Sequence, residues 1–369
     1  MMMIFIGTLF CNLHRDANGL HLRHNFEPAL PYLQQNFYSM QQVDHVMQSI
    51  RQRGRDAIAV HTILSDLHHH SPALLHAVLR ENVEALSEFV QGQALDQVCS
   101  KFGQLPRRWK TIRIAAGNLG LVDEIVADAV YSIRQNSDAR NGTAVVEVVV
   151  LSDGEHVGSS GDLGIWCAAG VKTKAALHAA MAGLHPQRAL AVVLDLGTDN
   201  AGLRADKRYA GTAAQRVRGP AAARIWQETL DALARYAPRA LVHYDSLAPS
   251  PDVRHVQEAQ GVRAPMFNEA LDAPAALALA GVLAAGRLHW NDGKDSLPHQ
   301  VWRAPVSTLQ RETFLLFGHF QVTSRIARLL VHTLESIGVP PPRARERIWL
   351  FDPGQGVFHQ QSEGDQVAF

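Results

Sequence analysis

The chain has 369 residues, and its content of 47% hydrophobic and 7% aromatic residues is ordinary for a globular protein of about two domains. Its 35 lysines and arginines balance its 35 aspartates and glutamates, so no net charge draws it to nucleic acid or to an anionic membrane. We therefore expect no nucleic-acid partner and no membrane partner.

The cysteines and the N-terminal segment indicate a cytoplasmic protein. Cys11, Cys99 and Cys167 show no CxxC spacing, which favours a reducing compartment without a disulfide framework. The first residues, MMMIFIGTLFCNL, are apolar but lack the basic region and the small-residue cleavage pattern of a secretory signal. No apolar run approaches the roughly 20 residues that span a bilayer.

Residues 1–110 are predicted to form a helical N-terminal region. Apolar residues recur at helical spacing in two segments of residues 40–100, VDHVMQSIRQR and SPALLHAVLRENVEALSEFVQ. Ser71 and Pro72 are typical of the cap and the first position of a helix, so a helix is predicted to begin there.

Strands and helices alternate over residues 111–287, which are predicted to form one domain. Strands rich in β-branched residues are predicted at 111–116, 145–154, 191–196 and 240–245. Helices are predicted at 172–184, 221–237 and 274–286. This alternation is typical of an α/β fold in which helices cover both faces of a parallel sheet.

Residues 288–369 are predicted to form a third region. A polar linker or long loop at 288–310 precedes a strand at 313–318, a helix near 322–337 and a strand at 347–352. This order predicts a Rossmann-like strand–helix–strand unit. Too few residues follow for the further strands of a dinucleotide-binding domain, so the unit is predicted to be incomplete, with one sheet edge open.

Two segments carry a family resemblance. Residues 193–219 read VLDLGTDNAGLRADKRYAGTAAQRVRG, and residues 161–164 read GDLG. Both closely resemble sequence motifs of malic enzymes. In that family GDLG comes first, and LDVGT(D/N)N, DPxYxG and RxRG follow in this order. The resemblance implies a malic-enzyme-like substrate domain that oxidises and decarboxylates malate to pyruvate, with NAD(P) and Mg²⁺ or Mn²⁺ as cofactors. It also implies a small carboxylate such as malate as partner, and a homo-oligomer.

The resemblance assigns two catalytic candidates. Counting from the GDLG motif puts Lys174 on the family's general-base lysine, which takes the proton of the substrate hydroxyl. Glu269 falls on the acid that couples to that lysine. The tyrosine that donates a proton in the family is replaced here by Gln91, which cannot transfer one.

His156, Asp162 and Leu163 are the substrate-binding candidates that the resemblance assigns. Asp162 and Leu163 belong to the GDLG motif, whereas His156 stands where the family has the arginine that grips the malate carboxylate. A neutral imidazole does not reproduce a bidentate guanidinium–carboxylate pair. His156 is therefore either a substitute anion ligand or a surface histidine without a role.

Asp245 is the one metal ligand that the chain keeps from the family's three carboxylates. It replaces a glutamate, while Ser246 and Ala270 replace two aspartates. One carboxylate and a serine hold Mg²⁺ or Mn²⁺ weakly, because these ions prefer several hard oxygen ligands. A rearranged site remains the alternative, with donors from Asp245, Glu269, Asp272 and His243.

Gly318 and Asp352 are the cofactor-binding candidates. The family's QGAGxAAxG loop lets the backbone approach the pyrophosphate, and it is replaced here by GHFQVTSR from Gly318 onward. Phe320 falls where backbone meets phosphate, so we expect it to exclude NAD(P). Asp352 matches the acid that binds the adenosine ribose, or else caps a turn before Pro353.

Three functions remain open on the sequence. The chain is an active malate oxidoreductase with rearranged ligands, a non-catalytic pseudoenzyme that binds a small carboxylate or a protein, or a different lyase or decarboxylase that uses Lys174. Scaffold motifs persist while the acid, metal, substrate and phosphate positions all change. That pattern favours loss or diversion of malate oxidation, with no cofactor retained.

Overall fold

Two compact units make up the computed structural model, residues 1–267 and 268–369. The structure describes residues 13–16, 19–22, 39–90, 93–105, 111–136, 145–182, 184, 188–245, 265–290, 306–318, 320–353 and 356–358. The division predicted from the sequence, at 1–110, 111–287 and 288–369, stays a prediction.

Helices follow one another between residues 40 and 100 of the first unit, where the sequence predicts helices. They are α1 (Met40–Arg53), α2 (Ala57–His70), α3 (Pro72–Glu81), α4 (Val83–Val90) and α5 (Gln93–Ser100). Helix α1 is stabilised by a capping box between Ser39 and Gln42, and the Asp56 side chain caps α2. Helix α3 begins at Pro72, the position that the sequence indicates. An antiparallel hairpin of β1 (Leu13–Asp16) and β2 (Gly19–Leu22), which the sequence pattern does not predict, precedes these helices.

A five-stranded sheet forms the centre of this unit. Its strands are β3 (Ile112–Ala115), β4 (Val148–Ser152), β5 (Ala189–Asp195), β6 (Leu241–Tyr244) and β7 (Met266–Asn268), and they lie in the order β3-β5-β4-β6-β7. Strands β3, β5, β4 and β6 pair in parallel. The helices that follow or separate them are α6 (Val122–Asn136), α7 (Ala168–Ala182), α8 (Ala201–Ala205) and α9 (Gly219–Tyr236).

Helices cover both faces of the sheet, because successive side chains of each strand point to opposite sides. Val148 and Val150 of β4 belong to the hydrophobic core that includes α1–α5 and α7. Val149 and Leu151 belong to a second core with α6 and α9. The predicted α/β class with a doubly covered parallel sheet is thereby confirmed.

The second unit contains the predicted strand–helix–strand. Its elements are α10 (Glu269–Trp290), β8 (Phe314–Phe317), α11 (Phe320–Ser336), α12 (Pro341–Glu346), β9 (Ile348–Asp352) and β10 (Gly356–Phe358). Strands β8 and β9 are parallel, and β10 adds an antiparallel strand to β9 that the pattern does not predict. Helix α10 begins earlier than the predicted 274 and runs through Pro274. Most of the predicted loop 288–310 lies outside the described residues.

None of the helices in the described ranges is long and apolar enough to cross a membrane.

Four glycines of positive φ lie in the segment between β4 and α7, and Gly154 and Gly161 are two of them. Gly154 has φ 67° and Gly161 has φ 69°. The Gly154 carbonyl accepts hydrogen bonds from the amides of Leu163 and Gly164, at 3.0 and 3.1 Å. The GDLG motif is therefore folded directly onto Gly154. A Cβ at Gly154 would lie 2.0 Å from the Gly164 carbonyl oxygen, whereas nothing lies within 4 Å of one at Gly161.

We predict that Gly154→Ala is far more damaging than Gly161→Ala. Both variants place an alanine at a positive φ, which costs about 1–3 kcal/mol. Gly154→Ala must also move backbone, so its free energy of unfolding should fall by at least about 3 kcal/mol more. Urea unfolding of both variants measures this difference. Equal losses would show that the loop does not pack as described.

Candidate functional site

Lys174 and Asp245 form a partly buried ion pair at the carboxyl end of the parallel sheet. Lys174 lies on α7 and Asp245 directly follows β6, and the lysine Nζ donates to the aspartate Oδ1. The lysine side chain is 15% exposed and that of the aspartate 3%. Ligand sites of open α/β sheets lie at this end of the strands. The structure therefore brings together the predicted base and the predicted metal ligand.

A pair of histidines lies one helical turn from the ion pair. His178 Nε2 and His243 Nδ1 are 2.8 Å apart, and both side chains are buried. Their rings meet edge to face at 88°, and the His243 ring lies 5.3 Å from that of Phe267. From the sequence, His243 is expected only as a helper in a rearranged metal site. The sequence signal for the histidine pair is the matched spacing of 174 with 178 and of 243 with 245.

Arg216 holds together the loops that surround the strand ends. Its side chain is 1% exposed, and its Nε and Nη2 donate to the two carboxylate oxygens of Asp162 at 3.0 and 2.7 Å. Arg216 Nη2 also donates to the Asp153 carbonyl at 3.1 Å. Asp162 accepts two further hydrogen bonds, from the amides of Asp199 and Gly164. The carboxylate predicted to bind substrate thus ties three loop segments together.

Asp153 is a buried carboxyl beside this network. Burial raises its pKa to about 6, although Arg216 and a hydrogen bond from the Glu155 amide oppose the rise. The nearest guanidinium nitrogen, Arg216 Nη1, is 3.7 Å from the Asp153 carboxylate. Desolvation therefore outweighs the attraction between the two charges. Arg218, which is more exposed, pairs with Glu155 and Asp199 at 2.6 and 2.7 Å.

The other two substrate-binding candidates have different surroundings. The Leu163 side chain is buried in the hydrophobic core, so this residue offers a substrate only its backbone. The His156 side chain is exposed on the loop after β4. Gln91, the predicted replacement for the tyrosine acid, lies outside the described residues. The roles of these residues stay predictions.

The residues present do not fit the divalent metal that the family resemblance implies. Asp245 is paired with Lys174, Ala270 carries no donor, and Ser246 lies outside the described residues. Across the part of the chain that the structure describes, no three His, Cys, Asp or Glu side chains form a group that could hold a metal ion. Mg²⁺ and Mn²⁺ need several oxygen ligands and dehydrate reluctantly, so one lysine-paired carboxylate is a poor site.

The remaining acids of the rearranged metal site belong to the second unit. Glu269 is the first residue of α10. Asp272 accepts a hydrogen bond from the Asn268 amide at 2.7 Å and pairs with Arg325 at 3.0 Å. Asp272 thus has partners within its own unit. The catalytic role of Glu269 stays a prediction.

The two cofactor-binding candidates flank the start of α11. Gly318 ends β8 with φ 149°, a backbone conformation that favours glycine. The Phe320 amide, at the first turn of α11, donates to the Asp352 carboxylate at 2.7 Å. Asp352 therefore caps a helix rather than only the turn before Pro353. The carboxylate of Asp352 lies at the N-terminal end of α11.

A comparison of the sequence with models of protein families shows which family this chain belongs to. The model of the malic enzyme N-terminal domain matches residues 68–255, which is just over half of the chain. The chain belongs to the malic enzyme family. The matched region contains the Lys174–Asp245 pair, the histidine pair and the Arg216 network.

Malic enzymes of animals match over most of the chain. Identity is 28% over 291 residues with the NADP-dependent malic enzyme of Sus scrofa, covering 79% of this chain and 47% of that protein. It is 28% over 302 residues with the mitochondrial NADP-dependent malic enzyme of Homo sapiens, covering 82% and 45%. It is 26% over 313 residues with the mitochondrial NAD-dependent malic enzyme of Ascaris suum, covering 85% and 44%. The chain spans about half the length of these relatives.

We predict that Asp153 makes the protein less stable as the pH rises. Its pKa is near 3.8 in the unfolded chain and about 6 in the folded one, so the native state binds the proton more tightly. The free energy of unfolding should fall between about pH 4 and pH 6, by roughly 3 kcal/mol from this group alone.

Asp153→Asn is the variant that isolates this effect, because the amide oxygen still accepts from the Glu155 amide. Urea unfolding of the wild type and the variant at about pH 4 and pH 7 should show the variant gaining roughly 3 kcal/mol relative to the wild type. Titration of other groups is common to both proteins and cancels. If the difference in free energy of unfolding between the two proteins did not change with pH, the raised pKa of the buried Asp153 carboxyl would be refuted.

Proposed function

We propose that this member of the malic enzyme family keeps a small-carboxylate site at Lys174 but has lost or diverted the ordinary oxidation of malate. The observation that carries the proposal is the direct ion pair between Lys174 and Asp245. The residue on the family's base position and the one remaining residue of its metal site neutralise each other.

The chemistry of the family explains why this pairing matters. Oxidation and decarboxylation of a hydroxy acid need a Lewis acid beside the developing oxyanion and a base for the hydroxyl proton. In this chain Asp245 stands without the second and third carboxylates, since Ser246 and Ala270 occupy their positions. The ammonium of Lys174 supplies the charge that a cation would otherwise provide to Asp245. We therefore expect neither Mg²⁺ nor Mn²⁺ to be retained.

Hydride transfer to NAD(P) is also disfavoured in this proposal. The relatives are named NADP- and NAD-dependent malic enzymes, so the family leads one to expect such a cofactor. Here the Asp352 carboxylate accepts from the first turn of α11, the place where a phosphate would bind. The side chain of Phe320, rather than glycine, follows at that turn.

A Lys174-dependent lyase or decarboxylase is the second candidate function. The paired Lys174 and Asp245 form a proton donor and acceptor that need no metal, and the lysine retains some exposure. A non-catalytic protein that binds a small carboxylate would use the same ammonium as its anion ligand. The cytoplasmic location and the homo-oligomer stay predictions of the sequence analysis.

The decisive assay is NAD(P)H production from malate with Mn²⁺, measured for the purified chain and for Lys174→Ala. We expect no Mn²⁺-dependent rate above background for either protein, because the metal and phosphate positions are substituted. Lys172→Ala is the matched control, since Lys172 lies on the same helix outside the ion pair. A clear rate that Lys174→Ala abolishes and Lys172→Ala preserves would overturn the proposal.

A further inference from the structure

Two side-chain contacts join α7 to β6 at successive levels. Lys174 contacts Asp245, and one turn along the helix His178 contacts His243. Four helical residues rise about 6 Å, and two strand residues rise about 6.6 Å, so the two contacts fall in register. The helix runs opposite to the strand, because the higher-numbered helix residue meets the lower-numbered strand residue.

The histidine contact is the more deeply buried of the two. His178 is 5% exposed and His243 is 4% exposed. A buried polar group is costly unless it is hydrogen-bonded, so each imidazole satisfies a ring nitrogen of the other. The contact needs no net charge, since one neutral ring donates through N–H and the other accepts. The Phe267 ring is an aromatic neighbour of His243, with the ring centroids 5.3 Å apart.

The hydrogen bond sets the separation of α7 and β6 beside the ion pair. Lysine is long and flexible, so Lys174 alone tolerates several separations of helix and strand. Two imidazole rings joined at 2.8 Å fix that separation. Asp245 follows His243 by two residues, and its amide donates to the Leu151 carbonyl at 2.9 Å.

We infer that His178 and His243 are positioning residues, which hold the carboxylate of Asp245 against the ammonium of Lys174. They contact neither the substrate nor the reacting atoms in this inference, and they act through the ion pair. The use of that pair in binding or catalysis rests on the proposed function, whereas the positioning itself does not.

Acetylation of the Lys174 amine by limiting acetic anhydride tests the inference without any turnover. Peptide mass spectrometry gives the acetylation of Lys174 relative to Lys172, which lies on the same helix and serves as internal reference. His178→Leu and His243→Leu remove the hydrogen bond. His178→Gln and His243→Asn place an amide atom near Nε2 and Nδ1 respectively, and should restore it.

We expect the Lys174 to Lys172 ratio to rise about fivefold in each leucine variant, as loss of one net hydrogen bond implies. The ratio should return to within about twofold of the wild type in the glutamine and asparagine variants. His76→Leu is the matched control. His76 is buried and contacts the same helix through the Ala179 carbonyl at 2.8 Å, away from the ion pair. It should lower stability and leave the ratio unchanged.

An unchanged ratio in folded leucine variants, or an equal rise in His76→Leu, would overturn the inference. If the leucine variants do not fold, the test is made on the wild type. NMR then measures the ¹⁵N–¹⁵N scalar coupling across the hydrogen bond between His178 Nε2 and His243 Nδ1. Its presence together with rescue by the amide variants supports the inference, and its absence refutes it. Malate oxidation would overturn the proposed function but would leave this ratio as predicted.

Discussion

The burial of two opposite charges between α7 and β6 is the constraint on which the site depends. Neither the Lys174 ammonium nor the Asp245 carboxylate is stable out of water without its partner, since an unpaired buried charge costs several kcal/mol. Whatever this site binds must therefore compete with an existing ion pair. A divalent metal at Asp245 would share this carboxylate with the Lys174 ammonium, and the repulsion between the two cations would oppose its binding. A carboxylate ligand could contact the Lys174 ammonium directly, because the lysine side chain is 15% exposed.

A second buried charge explains why the family's motifs persist around an altered site. Arg216 is almost fully buried, so Asp162 of the GDLG motif is required to balance it, whether or not a substrate binds. Gly154 cannot accept a side chain without displacing the Gly164 backbone. These requirements are structural, and they preserve the loops independently of catalysis. Persistence of the GDLG motif therefore does not by itself require catalysis.

The local pattern of the sequence was sufficient for the parallel sheet, because β-branched runs alternate with helices. Lys174 and Asp245 were assigned to one site by the family resemblance, not by periodicity. The pairing of His178 with His243 joins residues 65 positions apart, and their spacing from Lys174 and Asp245 indicates it only once those two residues are known to be in contact. Asp352 likewise resembles a ribose ligand in sequence, and only the helix start at Phe320 reveals it as a cap. Glu269 and His156 keep roles that are predicted only from the family resemblance.

Electron paramagnetic resonance of Mn²⁺ added to the intact chain tests most directly whether Asp245 pairs only with Lys174 or coordinates a metal ion. We predict that millimolar Mn²⁺ remains free in the presence of the wild type, and that Asp245→Asn behaves in the same way. Stoichiometric binding of Mn²⁺ by the wild type that Asp245→Asn abolishes would contradict this prediction. The Asp245 carboxylate would then be a metal ligand rather than only the partner of Lys174.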